Sequence, residues 1–218
     1  MVSTRRKKVV EGKASSVAAE TPARPAARLS VGLLGPFEVR RQDGQSLRLP
    51  RKTQGLLAFL ALQHGRPVPR EQLATLLWGN SATEQARQSL RQCLAALRNT
   101  VGTELSAPVV ADTAVVFLSP SQLWTVDVAA FEAACQSKSL EELEHASMLY
   151  RGELLAGLQI PVEPFNDWLT VERQRMSSLH LDVLRRLALA RAETGNMEAA
   201  IDVAKRMAAL DPLREDGH

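Results

Sequence analysis

Residues 81–101 read SATEQARQSLRQCLAALRNTV, and this stretch decides the fold. Ala86, Leu90, Leu94, Leu97 and Val101 follow one another at +4, +4, +3 and +4, the spacing of one helical face, so the segment is a helix with one buried side. The opposite side carries Gln85, Gln88, Gln92 and Asn99. Arg87, Arg91 and Arg98 run along the border between the two, and no acidic residue follows Glu84. Guanidinium and amide groups unopposed by carboxylates suit phosphate and base edges. Ser81 and Glu84 have the S-x-x-E spacing of a capping box, which would fix the helix start and direct its free N–H groups at the preceding chain.

Upstream, Pro69-Arg-Glu-Gln opens a second helix with Leu73, Leu76 and Leu77 inward and Gly79 as its stop. Two helices joined by a tight glycine-bearing turn predict a helix-turn-helix. Before them, TQGLLAFLALQHG places Leu56, Leu57, Phe59, Leu60 and Leu62 over most of a helix surface, a core helix ended by Gly65 and the Pro67/Pro69 pair. Val31, Leu33, Phe37 and Val39 alternate, and Asp43-Gly44 is a hairpin signal, so a small antiparallel sheet opens the domain. Downstream, residues 108–111 and 114–118 read as two β runs around Asp112-Thr113. A hairpin directly after such a helix is a wing.

From Trp124 onward every segment reads as helical. Ser139 and Glu142 form a second capping-box pattern, and 158–164 is a break between helices. Leu184, Leu187, Ala188, Gly195, Ala200 and Leu210-Asp211-Pro212 fall at the spacings of a 34-residue tetratricopeptide unit, with Arg191 where an aromatic is usual. One such unit cannot bury its own faces, so the upstream helices must supply a partner layer. The chain stops six residues after Pro212, which reads as an abrupt end and a fragment of a longer regulator. The fold class expected is mainly α with small antiparallel β elements: a winged helix-turn-helix followed by a tetratricopeptide-like helical domain. The expected boundaries are 1–28 for a disordered basic arm, 29–123 for the winged helix and 124–218 for the helical domain.

Charge divides along the same lines: net +5 over residues 1–28, +4 over 29–120 and −6 over 121–218. A basic front suits a polyanion, and charge alone leaves nucleic acid and membrane both open. The longest unbroken apolar run, Leu56–Leu62, is too short to span a bilayer, and no signal core follows Arg5–Lys8, so a cytoplasmic protein without membrane partners is expected. Cys93 and Cys135 have no metal-ligand or C-x-x-C spacing, which predicts neither a disulfide framework nor a zinc site. His64, His145 and His180 are dispersed, so they are read as solvated or hydrogen-bonded rather than ligating. Trp78, Trp124 and Trp168 sit at helix ends or junctions and are read as packing residues. Glu141, Glu142 and Glu144 make a polar helix face. No phosphate-loop, dinucleotide, zincin or nucleophile-elbow motif occurs, so neither an enzyme nor a cofactor is expected.

The strings LLGPFEVRRQDGQSLRLPRKTQGLLAFLAL, GRPVPREQLATLLWG, SLRQCLAALR, WTVDVAAFE, LYRGELLAGL and DWLTVERQR…LDPLRED together resemble the antibiotic-regulatory (SARP-type) bacterial transcription activators over roughly residues 29–218. The resemblance implies an OmpR-type winged helix followed by a bacterial transcriptional activator domain, dimeric binding to repeated promoter sites and contact with RNA polymerase. It also implies ATPase and further repeat domains in larger members, and the sequence ends before any such region.

On the physical reading, Gln88, Arg91 and Gln92 are the expected base readers, since Arg pairs with guanine O6/N7 and Gln with adenine N6/N7. Arg87 and Arg98, nearer the buried border, are expected on the phosphate backbone, as are Arg51, Lys52 and Arg70 at the starts of the preceding helices and Thr113 at the wing. The competing expectation is a protein-interaction module in which the winged helix only docks.

Overall fold

The computed structural model describes residues 29–101, 109–119 and 124–210. The arm expected over 1–28 and the Asp211-Pro212 end of the repeat lie outside the described residues.

Strand β1 (Leu29–Gly32), the two-residue β2 (Gly35–Pro36) and β3 (Glu38–Arg41) open the chain. β1 and β3 pair antiparallel with Val31 opposite Val39, which turns both valines to one buried face. The Asp43-Gly44 turn follows, and the returning chain pairs with β3 only through the Arg40–Ser46 bridge. Helix α1 (Arg51–Leu62) is buried at every position from Gly55 to Leu62, as its all-round apolar sequence requires. Strand β4 (Val68–Pro69) leads into α2 (Arg70–Trp78) and α3 (Thr83–Val101). Leu73, Leu76 and Leu77 of α2 are buried, as are Ala86, Leu90, Leu94, Leu97 and Val101 of α3, together with Cys93. Strands β5 (Val109–Ala111) and β6 (Val115–Leu118) form the expected antiparallel hairpin, and β6 also pairs with β4.

The later half is not helical throughout. Trp124–Val126 is a strand, β7, lying parallel to β1 with Val126 beside Val31, so the small sheet runs β3-β1-β7. Leu154–Ala156 is another, β8, parallel to β2. Both partners lie roughly a hundred positions away in sequence, and three-residue strands are too short to show a period. In β8 the usual alternation also fails. Leu155 takes φ +53°, and both it and Leu154 are fully buried. Helices α4 (Asp127–Cys135), α5 (Leu140–Leu149), α6 (Glu163–Glu193) and α7 (Met197–Leu210) make up the rest. The 31-residue α6 is the spine of this half: its start packs on α2 and its later turns on α5 and α7.

The two halves share a core. Phe59 of α1 meets Trp168 of α6 edge to face, with ring centroids 5.0 Å apart, and Phe165 completes the cluster. Gly55 is what lets α1 come so close: a Cβ there would lie 2.6 Å from Ile160 Cδ1 and 3.0 Å from Phe165 Cε2.

Neither capping box forms. Ser139 does precede α5, but its hydroxyl makes no capping bond. α3 begins at Thr83, two residues beyond Ser81, and Glu84 turns instead to Arg87 and Arg91. The tetratricopeptide-like spacing gives the α6–α7 hairpin, turned at Gly195 (φ +79°), with Leu184, Leu187 and Ala200 buried. Arg191 fills the place of the usual aromatic by bonding Glu144 of α5 at 2.9 Å and the Ala199 carbonyl of α7 at 3.4 Å.

Candidate nucleic-acid interface

α2, the Gly79–Ala82 turn, α3 and the β5–β6 hairpin are held together by specific contacts, and α3 is positioned from its buried side. Leu90 and Leu97 are 1% and 0% exposed. Cys93 Sγ lies 3.3 Å from Thr53 Oγ1 of α1, and burial pushes its thiol up, so it is a neutral packing residue. The outward side presents Gln85, Gln88, Arg91, Gln92, Ala95, Arg98 and Asn99, all exposed. Gln88, Gln92 and Asn99 are exposed and make no hydrogen bond among the described residues.

The arginines are less free than their sequence suggests. Arg87 bonds Glu71 of α2 at 2.7 Å and lies 3.5 Å from Glu84, and the Glu71 bond raises its pKa further. Arg91 lies 3.7 Å from Glu84. The reading of these residues as unopposed is therefore corrected. One carboxylate in the first turn of α3 reaches forward along the helix to i+3 and i+7, and Glu71 approaches across the helix-helix turn, a contact no linear spacing displays. Arg98 is exposed in the last turn with no ion-pair partner among the described residues.

Of the three basic residues at earlier helix starts, Arg70 lies beside the wing. Its Nη1 donates to the Asp112 carbonyl at 2.6 Å, while its backbone N–H donates to Ala114 O. The wing turn is itself closed by Asp112, whose carboxylate accepts from the N–H groups of Val115 and Ala114; these bonds hold its pKa down. Thr113, between them, is exposed. Lys52 sits over the Trp78 ring with Nζ 5.1 Å from its centroid, and partial burial lowers its pKa. Arg51 points elsewhere, into an open groove of about 530 Å³ that it shares with the 158–161 segment and Arg173 of α6. The fold thus gathers Gln88, Arg91, Gln92 and Arg98 on one helix, brings Arg70 and Thr113 to the wing, ties Arg87 between α2 and α3, and sets Arg51 apart.

The histidines have three environments. His145 is exposed, and His64 lies 3.1 Å from Glu132. His180 departs from the expectation of a solvated or bonded ring: it is 3% exposed, stacks on Tyr150 at 4.0 Å and leaves Nδ1 without a partner, because the helices close over it. Burial first, then the Arg206 guanidinium, pushes its pKa down to about 4. Among the described residues no group of His, Cys, Asp and Glu could hold a metal ion, and no helix is long and apolar enough to cross a membrane. Trp78 and Trp168 are packing residues as expected, and Trp124 donates its indole N–H to Ser119 O at 3.1 Å.

Comparison with known proteins gives two family matches. Residues 44–114 match the family described as "Transcriptional regulatory protein, C terminal", and residues 121–218 match the "Bacterial transcriptional activator domain". Both are transcription-regulator domains, not enzyme families. No curated protein matches the chain. Among solved structures it is similar to Mycobacterium tuberculosis EmbR in complex with low affinity phosphopeptide, at 22% identity and a TM-score of 0.51 over 84% of this chain. That likeness is one of fold, and the chain spans 60% of the EmbR chain's length. In its two matched domains and their order, the chain is similar to the SARP-type transcriptional regulators, an OmpR-type winged helix joined to a bacterial transcriptional activator domain.

Proposed function

We propose that the chain is a sequence-specific, DNA-binding transcriptional activator whose helix α3 enters the major groove while the Asp112–Ala114 turn meets the adjacent minor groove or backbone. The observation that carries this reading is the exposed row on α3, with three amides that bond no described residue and Arg91, in a helix packed on α2, whose Arg70 braces the wing. Gln88, Arg91 and Gln92 read bases. Arg98, Arg70 and Thr113 hold phosphates, and Arg87 does so through the share of its charge that Glu71 and Glu84 leave. Arg51 and Lys52 contribute to the basic field around the helix starts. The 124–210 region serves dimerisation and contact with RNA polymerase, as in the activators the sequence resembles, and the division 29–123 and 124–218 is one of labour across a shared core. The test is retardation of promoter fragments from the protein's own gene neighbourhood across a salt series. Specific binding gives one preferred fragment with a steep salt dependence. Equal retardation of random DNA would sink the proposal.

A second reading, a protein-docking module, draws on the exposed apolar residues Leu189, Met197 and Ile201 of the α6–α7 hairpin. Sedimentation of the chain alone and with DNA separates the two. A stable species that takes up one duplex supports the first, and aggregation without DNA uptake supports the second.

A further inference from the structure

We infer that Ala95 is a base-reading residue whose methyl group meets a thymine C5 methyl, and that with Gln88, Gln92 and Asn99 it directs α3 to A·T-rich operator sequence. The inference rests on the proposal that α3 enters the major groove. At 3.6 residues per turn, Ala95 lies nearly two full turns beyond Gln88, with Gln92 and Asn99 one turn to either side. These four share one exposed line, opposite the buried line of Ala86, Leu90 and Leu97.

Two features give that line its chemistry. Its hydrogen-bonding groups are amides with no bond to the described residues, whereas the arginines Arg87 and Arg91 at its border are partly neutralised by Glu84 and Glu71. An amide that both donates and accepts matches adenine N7 and N6, while a guanidinium matches guanine. Second, the middle of the line is the smallest side chain on it. A long residue at position 95 would hold the helix off the base edges; alanine lets the backbone approach and offers only a methyl group, which in the major groove fits the thymine methyl and no other base edge. From Gln88 to Ala95 the helix advances about 10 Å, or about three base-pair steps, so the two address different bases of one site.

The experiment selects bound duplexes from a randomised library with the intact chain, then replaces each selected thymine by uracil, which removes only the methyl group. The expected result is an A·T-rich site with one thymine at which uracil weakens binding about fourfold. Ala95→Gly should be indifferent to the exchange at that position and unchanged at the others. Ala95→Ser, a better helix former than glycine, should have a reduced response there, and circular dichroism reports that both variants fold. A preferred site at which no thymine responds, or an Ala95→Gly variant that still loses fourfold, overturns the assignment. A library that yields no preferred sequence overturns the DNA-reading proposal beneath it as well.

Discussion

The carboxylate of Asp127 accepts hydrogen bonds from the backbone N–H of Leu33, at 2.8 and 2.9 Å, across 94 positions of sequence. The same carboxylate takes the Leu34 N–H at 2.9 Å and lies 3.4 Å from Arg151. Leu33 and Leu34 are fully buried, so these amides have no water to fall back on. A side chain in the first turn of α4 thus satisfies the turn after β1, just where β7 joins that sheet.

Asp127→Ala therefore strips two buried N–H groups of a charged acceptor. The expected loss is about 3 kcal/mol of unfolding free energy. Urea denaturation followed by tryptophan fluorescence and by circular dichroism should show a single displaced transition, because Trp78 lies in one half and Trp168 in the other. Two separated transitions would show that the halves unfold independently.

Gly55→Ala tests the close approach of α1 to α6. Alanine favours a helix by about 1 kcal/mol over glycine, but the new methyl group would collide with Ile160 and Phe165, which are 2% and 0% exposed. Overpacking of this kind costs about 1–3 kcal/mol. Thermal denaturation should show a net destabilisation; a stabilised variant would mean that Ile160 yields freely.

His180 predicts an acid-sensitive fold. Its folded pKa is about 4, while an unfolded histidine titrates at about 6.5. Between these values the unfolded chain binds a proton that the folded chain does not, so stability falls as the pH drops through that window. The loss attributable to His180 across this window is about 3 kcal/mol. His180→Phe, which keeps the stack on Tyr150, should flatten the melting temperature between pH 7 and pH 4.5. An unaltered pH slope in the variant would place the acid sensitivity elsewhere.

Arg98 and Arg91 should separate in binding. Arg98→Ala is expected to weaken all sequences alike and lower the salt slope by about one unit. Arg91→Ala should cost about 1–3 kcal/mol at the preferred site and relax one base position. Fluorescence anisotropy with preferred and scrambled duplexes over a salt series reads both effects.

Arg70→Ala removes the side-chain bond to the Asp112 carbonyl while the Asp112 turn keeps its own N–H bonds. Amide hydrogen exchange should quicken in residues 109–118 with α3 unaffected. Exchange that stays unchanged there would show the turn to be self-supporting.

Sequence alone determined the helices and their buried sides. The 3.6-residue spacing of Leu90, Leu94 and Leu97 leaves one way to bury them, and the all-apolar 56–62 run can only be interior. It also determined the hairpin at Asp112-Thr113 and the outward placement of Gln88, Arg91 and Gln92, because both follow from local period and turn chemistry. Tertiary structure decided what local period cannot carry. β7 and β8 exist as strands because β1 and β2 offer them edges about a hundred residues away, and Asp127 acts through amides equally distant. Glu71 takes up Arg87 only once α2 and α3 have folded against each other, and Arg51 faces α6 only because the two halves share the core at Gly55 and Phe59. The helical faces are properties of adjacent residues. The charge balance of the reading surface, and the joining of the two halves, belong to contacts that form only when the chain closes on itself.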